Sequence, residues 1–459
     1  MKTTTGGVNT VSMTTGSTFR HMICFALPLM LGNAFQQVYT LTDTAVVGRV
    51  LGVVALSALG ACDLLIWTIS SAIQAYTEGF SIKMAARFGA DDADGFNRAV
   101  VSGAYLSVAA ATILLLAMQL AIPGILTLMR VRTEVYPYAL LYLRIICAGI
   151  PFVTAYNFCF SILRALGNSR IPLRVMSFSA ALNILLDILF VAVLKWGIGS
   201  AALATVISQL FSAAYSLAVT RKLLQKAFAE ARCDRGLARQ MLKLSIPMAG
   251  QIVISSIGGL VVQAVVNRND VAFIAGYTAT YKLYGLLEVA SIAYGFAVTT
   301  YTSQNVGAKQ YTRIRRGLLT SECIAVVTAL LFTAAIYLFG QPVISLFISG
   351  TKEEIAVAIP VGLHFLKIMG VGLPMLYTVH VMRSFVQGLG HAMFATFNSM
   401  VELIARIVVV TVGPTFIGAE CVFYAEPAAW TAGSVFLAVG SLIFLRKTSR
   451  HALTTEVKQ

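Results

Sequence analysis

Phe25–Gly52 reads FALPLMLGNAFQQVYTLTDTAVVGRVLG, an apolar run of helix length in which Asp43 is the single acid. In the centre of a bilayer a carboxylate costs about 2.5 to 3.5 kcal/mol to insert, so an acid kept there points first to an ion or substrate path. The rest of the chain supports a bilayer as the solvent. Of its 459 residues 58% are hydrophobic and 12% charged, with mean hydropathy +0.81, against about 25% charged in soluble domains. No charged n-region with a short apolar core and a small-residue cleavage site precedes the first span, so helix one is expected to stay in the mature chain.

The formal net charge of +15 does not gather into a nucleic-acid-binding domain, because the cations fall in short clusters between apolar runs, as topology signals do. The 7 cysteines are scattered, with no CxxC or Cys/His ligand spacing. Neither a disulfide framework nor a zinc site is expected, and no cofactor is implied.

A span needs about 20 apolar residues. On that rule twelve are read, at about 22–47, 53–80, 97–122, 135–159, 173–194, 198–220, 242–266, 272–302, 317–340, 358–383, 393–415 and 423–445. The expected fold is all-α and polytopic. One set of span ends carries Arg20, Lys83, Arg87, Arg98, Arg164 and the dense segment 221–243, while the opposite set holds few cations. Both termini are therefore expected in the cytoplasm. The chain is also internally duplicated. FALP ending at Pro28 answers LSIP ending at Pro247, RFGADDADGF from Arg87 answers NVGAKQYTRI from Asn305, and RALGN from Arg164 answers QGLGH from Gln387. This predicts an N-lobe at 1–220, a cytoplasmic linker at 221–243 and a C-lobe at 244–459. Six spans per half let the two lobes share an axis along the membrane normal around a central cavity.

The opening run, PFVTAYNFCFSILRALGNSRIPL, LNILLDILF and the AEPAAW start of the last span together resemble the multidrug and toxic compound extrusion (MATE) family in its bacterial DinF-like branch. The resemblance covers essentially the whole chain. It implies two lobes of six helices, a bacterial inner-membrane location, a sufficient monomer, and export of organic, often cationic, compounds in exchange for protons or sodium ions. It also sets Asp43, Asn183, Asp187 and Thr205 at positions associated with N-lobe cation coupling, Tyr142 near that pocket, and Pro28 at a bend of helix one that accompanies ion binding.

The residues carry a reading of their own. Asn183 and Asp187 are four apart and share a helix face, and Thr205 offers a hydroxyl on helix six. If helices one, five and six meet, two carboxylates, an amide and a hydroxyl converge. Such oxygens suit a hard cation such as sodium. Equally, a carboxyl out of water beside a second carboxylate holds a proton more tightly. Structural hydrogen bonding between helices is the plainer alternative. Pro28 kinks its span, whether as a fixed bend or a moving one. Gln36, Gln37 and Tyr39 add polar positions to helix one, of which Gln36 and Tyr39 are substrate-cavity candidates, Tyr142 is one on helix four, and Arg144 reads as a snorkelling cation.

In the second half, Glu402 and Arg406 are four apart and are expected to pair. Glu288, among Tyr281, Tyr284 and Tyr294, is either a cavity acid assisted by cation–π contacts or a partner of Lys282 or Lys367. Sodium-coupled relatives in another branch of the family carry a glutamate in helix seven, and this helix seven has no acid. The departure makes the N-lobe the preferred seat of coupling and fits proton antiport somewhat better without excluding sodium. His364 and His380 lie too far apart on one helix to form a relay. His391 and the Asp91, Asp92, Asp94 cluster are expected in solvated loops. A secondary antiporter is thus the leading function, with small organic substrates and membrane lipids as partners and no nucleic acid. A lipid-linked oligosaccharide or lipid flippase is the alternative, and a membrane-embedded enzyme follows behind, since no HExxH, GxSxG or Walker A sequence occurs.

Overall fold

The computed structural model describes residues 2–5, 8–348 and 351–456. Met1 and Gln459, the termini expected on the cytoplasmic side, lie outside the described residues. Helix α1 runs Thr18–Gly89 and is broken at Gly52, where φ is 81° and ψ −171°, into limbs 18–51 and 53–89. A Cβ strains that backbone, so glycine lets the chain break between the two limbs at a single residue. There follow α2 (Ala93–Leu128), α3 (Tyr136–Ala148), α4 (Ile150–Ala165) and α5 (Arg170–Asp187). A π-helical turn, Ile188–Val193, continues α5. The order goes on with α6 (Ile198–Glu230), α7 (Arg235–Val266), α8 (Val271–Gly307), α9 (Tyr311–Ser345), α10 (Lys352–Gly388) and α11 (Ala392–Val412). The short α12 (Pro414–Ile417) leads into α13 (Val422–Glu456).

Ten of these helices are long and apolar enough to cross a membrane, the first of them holding two limbs, and α3 with α4 forms one more span bent by 42°. The twelve crossing segments read from the sequence are therefore present among the described residues. At 1.5 Å per residue the 36 residues of α2 reach about 54 Å, well beyond a hydrocarbon core of about 30 Å.

The chain forms two compact units. Unit 1 comprises Met1–Thr15 with Leu27–Ala249, and unit 2 comprises Gly16–Ala26 with Gly250–Gln459. Helix α1 thus changes unit between Ala26 and Leu27, one residue before Pro28. Its foot is anchored in unit 2, where Arg313 donates to the Gly16 carbonyl at 2.9 Å and the Thr18 and Tyr301 hydroxyls meet at 3.0 Å. Segment 221–243 is helical except for residues 231–234.

One element is absent from the sequence reading. Strands β1 (Lys2–Thr5) and β2 (Val8–Val11) pair antiparallel, and the second docks on unit 1. Val11 N–H donates to the Leu166 carbonyl at 2.9 Å, and the Asn168 amide donates to the Asn9 carbonyl at 2.8 Å. Within unit 1, Phe80, Met84, Phe158 and Phe160 fill one core cluster, and Val47, Leu143, Cys147 and Ile198 fill a second.

Candidate cation site

The site lies inside unit 1. Helix α5 presents Ser179, Asn183 and Asp187 at four-residue intervals, which is one helix face. Asn183 and Asp187 are 2% and 0% exposed. The first limb of α1 brings Gln36, Tyr39 and Asp43 to them. Its approach is close at Gly32, where an added Cβ would stand 2.9 Å from the Met176 sulfur. Helix α6 supplies Thr205, whose hydroxyl accepts a 3.4 Å hydrogen bond from the Asn183 amide. A cavity of about 40 Å³ opens among α1, α4, α5 and α6, lined by Gln36, Tyr39, Asn183, Thr205, Ser208 and Gln209 among others.

The electrostatics are one-sided. Asp187 lies within electrostatic reach of Asp43, and Tyr39 and the buried Tyr142 lie within reach of both. Both Asp187 carboxyl oxygens, Asp43 Oδ1 and Asn183 Oδ1 are buried with no protein hydrogen-bond partner. Among the described residues no Lys or Arg forms an ion pair with either acid. An ionised carboxylate in such a place is costly by several kcal/mol unless a cation or proton joins it. Two carboxylates, an amide oxygen and hydroxyls can take either. The π-helical turn that begins at Ile188 follows Asp187 directly, with Leu194 N–H reaching back to the Leu189 carbonyl at 2.9 Å. Such turns recur beside functional side chains.

A third acid escaped the sequence reading. Asp63, on the second limb of α1, stands within electrostatic reach of Asp43. The signal was in plain view, since ACDLLIW is another apolar run with one acid in it. Also unforeseen is the buried pair of Glu78 with Arg164, 2.7 Å apart. Arg144 is exposed and Pro28 half-buried.

Unit 2 revises two expectations. Glu402 and Arg406 do not pair with each other. Arg383 of α10 and the Asn398 amide, at 2.6 Å, take Glu402, while Arg406 grips both oxygens of Glu426 on α13 at 3.1 and 2.8 Å. Four-residue spacing puts both groups on one face of α11, but α10 and α13 pack there and offer planar fork-to-carboxylate geometry that a same-helix neighbour cannot match. Glu288 likewise meets neither lysine: its partner is His380 at 3.5 Å, and Lys367 sits over the Tyr337 ring at 5.8 Å. Tyr284 is buried and Tyr281 is exposed, both within electrostatic reach of Glu288.

His364 faces Glu420 at 3.6 Å, away from His380, and His391 is exposed and stacks on Phe444 with centroids 4.0 Å apart. Asp92 caps α2, accepting from Gly95 N–H at 2.8 Å and pairing with Arg87, and that N–H holds its carboxyl below the usual range. Among the described residues no group of three or more His, Cys, Asp or Glu is arranged to hold a metal ion.

With this geometry in view, the chain matches the MatE family model over residues 28–189 and 247–412. It is 30% identical over 384 residues to the probable multidrug resistance protein YpnP of Bacillus subtilis, covering 82% of this chain and 84% of that one. A crystal structure of a MATE protein in complex with MaL6 superposes with TM-score 0.88 at 21% identity, over 98% of this chain and 100% of the other. A MOP superfamily transporter from Pyrococcus furiosus gives TM-score 0.88 at 22% identity, over 98% and 99%. The last two likenesses speak to the fold.

Proposed function

The chain belongs to the MatE family, and from that membership we propose that it is a secondary antiporter exporting small organic, often cationic, compounds in exchange for protons or sodium ions. One observation carries the coupling half of this reading: Asp43 and Asp187 are buried close together, with carboxyl oxygens that have no protein partner and no Lys or Arg beside them. Such a pair has reason to take up and release a cation. Asn183, Thr205 and Tyr142 supply the neutral oxygens around it. Gln36, Tyr39 and, in unit 2, Glu288 are the substrate contacts.

The proposed cycle begins with substrate taken from the cytoplasm or inner leaflet while the acids lack the ion. An ion from outside then occupies Asp43 and Asp187 and favours the state that has released substrate, and Pro28 gives α1 the bend through which the two states differ. Coupling requires that the ion bind one state more tightly, since equal affinity shifts nothing. The protein works in the bacterial plasma membrane with both termini in the cytoplasm, an orientation supported by the arginine and lysine clusters at one set of helix ends.

The test is efflux of a fluorescent organic cation from liposomes under a pH gradient or a sodium gradient, each imposed alone. Transport under one gradient names the ion, and its loss in Asp43→Asn protein that still folds supports coupling in unit 1. If neither gradient drives wild-type transport, antiport fails and lipid flipping becomes the reading to test.

A further inference from the structure

We infer that the cavity beside Asn183 holds ordered water which, continued by the buried hydroxyls of α6, forms a proton path between the Asp43/Asp187 pair and the arginine- and lysine-rich end of α6. The inference rests on the proposed coupling role of the two acids and names the ion as a proton.

Thr205, Ser208, Ser212, Ser216 and Thr220 recur at three- and four-residue steps, so they line one face of α6 over about 22 Å. Ser208 and Ser216 are 4% and 0% exposed. In an apolar helix a serine or threonine hydroxyl ordinarily donates to the carbonyl one turn back, as Thr220 does to Ser216 and Ser177 does to Leu173. The hydroxyls of Ser208 and Ser216 do not: both are buried without a protein partner, as are Asn183 Oδ1 and Gln209 Oε1. Each such atom costs about 1–3 kcal/mol if left unsatisfied. Three of the four belong to residues that line the cavity of about 40 Å³, which is polar and roomy enough for water.

What the column lacks decides the ion. Past the acids it offers only hydroxyls and neutral amides, whereas a hard metal cation stripped of water needs several strong oxygen ligands. A proton needs only one neighbouring oxygen with a free lone pair at each step. It leaves Asp187 as an O–H bond breaks and one forms to water, and each further oxygen gains a proton on one side while releasing one on the other. The titratable groups facing the acid end are Tyr39, Cys62, Asp63, Tyr142 and Tyr156, none of them cationic, and Cys159 meets the column at Thr220.

The experiment uses proteoliposomes with a pH dye inside, and reads proton flux on addition of a fluorescent organic cation. Ser208→Val with Ser212→Val fills and dries the cavity, and is expected to lower proton flux and coupled transport at least tenfold. Equilibrium dye binding in detergent is read alongside on Ser216→Ala, which lies outside the cavity lining and should bind as wild type. Ser208→Thr, which keeps a hydroxyl, should restore flux. If the double valine variant fails to fold, Ser216→Ala removes one hydroxyl without bulk and should still slow flux severalfold. Wild-type flux in either folded variant overturns the path. Wild-type coupling in Asp43→Asn would instead sink the reading on which the path rests, so the two failures are distinct.

Discussion

Asp43 and Asp187 of unit 1 are set differently from Glu402 and Glu426 of unit 2, although Glu78 of unit 1 is itself held by Arg164. In unit 2, Glu402 and Glu426 are each held by an arginine, Arg383 and Arg406. In unit 1, Asp43 and Asp187 have no such partner. One position of the repeat bears on the contrast, because the register that sets RALGN at Arg164 over QGLGH at Gln387 also sets Asn183 over Arg406, although the acids themselves do not correspond. At that position the second half carries its own cation, and the first half carries an amide and leaves the charge of its neighbours open. A permanent internal counter-ion makes an acid structural; its omission makes one available for exchange.

The largest expected effect comes from abolishing the difference. Asp187→Asn should bring gradient-driven transport down to that of empty liposomes while leaving the protein folded. Asn183→Arg, which copies one arginine of the unit 2 arrangement into unit 1, should do the same by giving the acid pair a permanent counter-charge. Transport that survives Asn183→Arg would show that an open charge at this position is not what drives exchange.

Next in size is the converse change. Glu426→Gln leaves the Arg406 guanidinium buried and unpaired, and should cost about 3–5 kcal/mol in stability, read as a lowered thermal midpoint in detergent. Replacing both partners, Arg406→Met with Glu426→Leu, should cost much less, since exchanging a whole buried pair for apolar groups is often neutral. A double variant as unstable as the single one would mean that the pair contributes more than its own neutralisation.

The smallest effect concerns helix starts. Asp92 caps α2 through its side chain, while its repeat counterpart Gln310, with nearly the same backbone angles, makes no side-chain cap on α9. Gln310→Asp should therefore stabilise unit 2 by about 0.5–1 kcal/mol, and Asp92→Ala should destabilise unit 1 by about 1 kcal/mol. Because the folded state holds the Asp92 carboxyl below its ordinary range, this contribution is present above an unfolded value of about 3.9. It is lost as pH falls through the lower folded value. Thermal melts of wild type and Asp92→Ala should thus converge in acid.

Asp43, Asn183 and Asp187 stand out in the sequence because charge and amide groups are conspicuous in apolar spans, and four-residue spacing fixes a shared face. The spans and the repeat are legible for the same reason. The arginine partners are not, since which faces of α10, α11 and α13 meet depends on packing that spacing along one helix does not encode. Ser208 and Ser216 are hidden differently: serines are ordinary in membrane helices, and whether a hydroxyl bonds back to its own helix is a matter of rotamer. The N-terminal hairpin does leave a signal, a Gly6-Gly7 pair between two β-branched runs.

The change of unit inside α1 has a consequence for how the chain is made. The foot of the first helix packs with the second half, and the contact of Thr18 with Tyr301 spans 283 residues of sequence. At about 5–20 residues per second, the ribosome delivers that partner roughly a quarter of a minute to a minute after the foot has emerged. Until then residues 16–26 have no native surface to settle on, although the rest of α1 can already assemble with its neighbours. This early-synthesised segment is thus among the last that can reach its final place, and a nascent chain halted before α8 should expose that foot to protease.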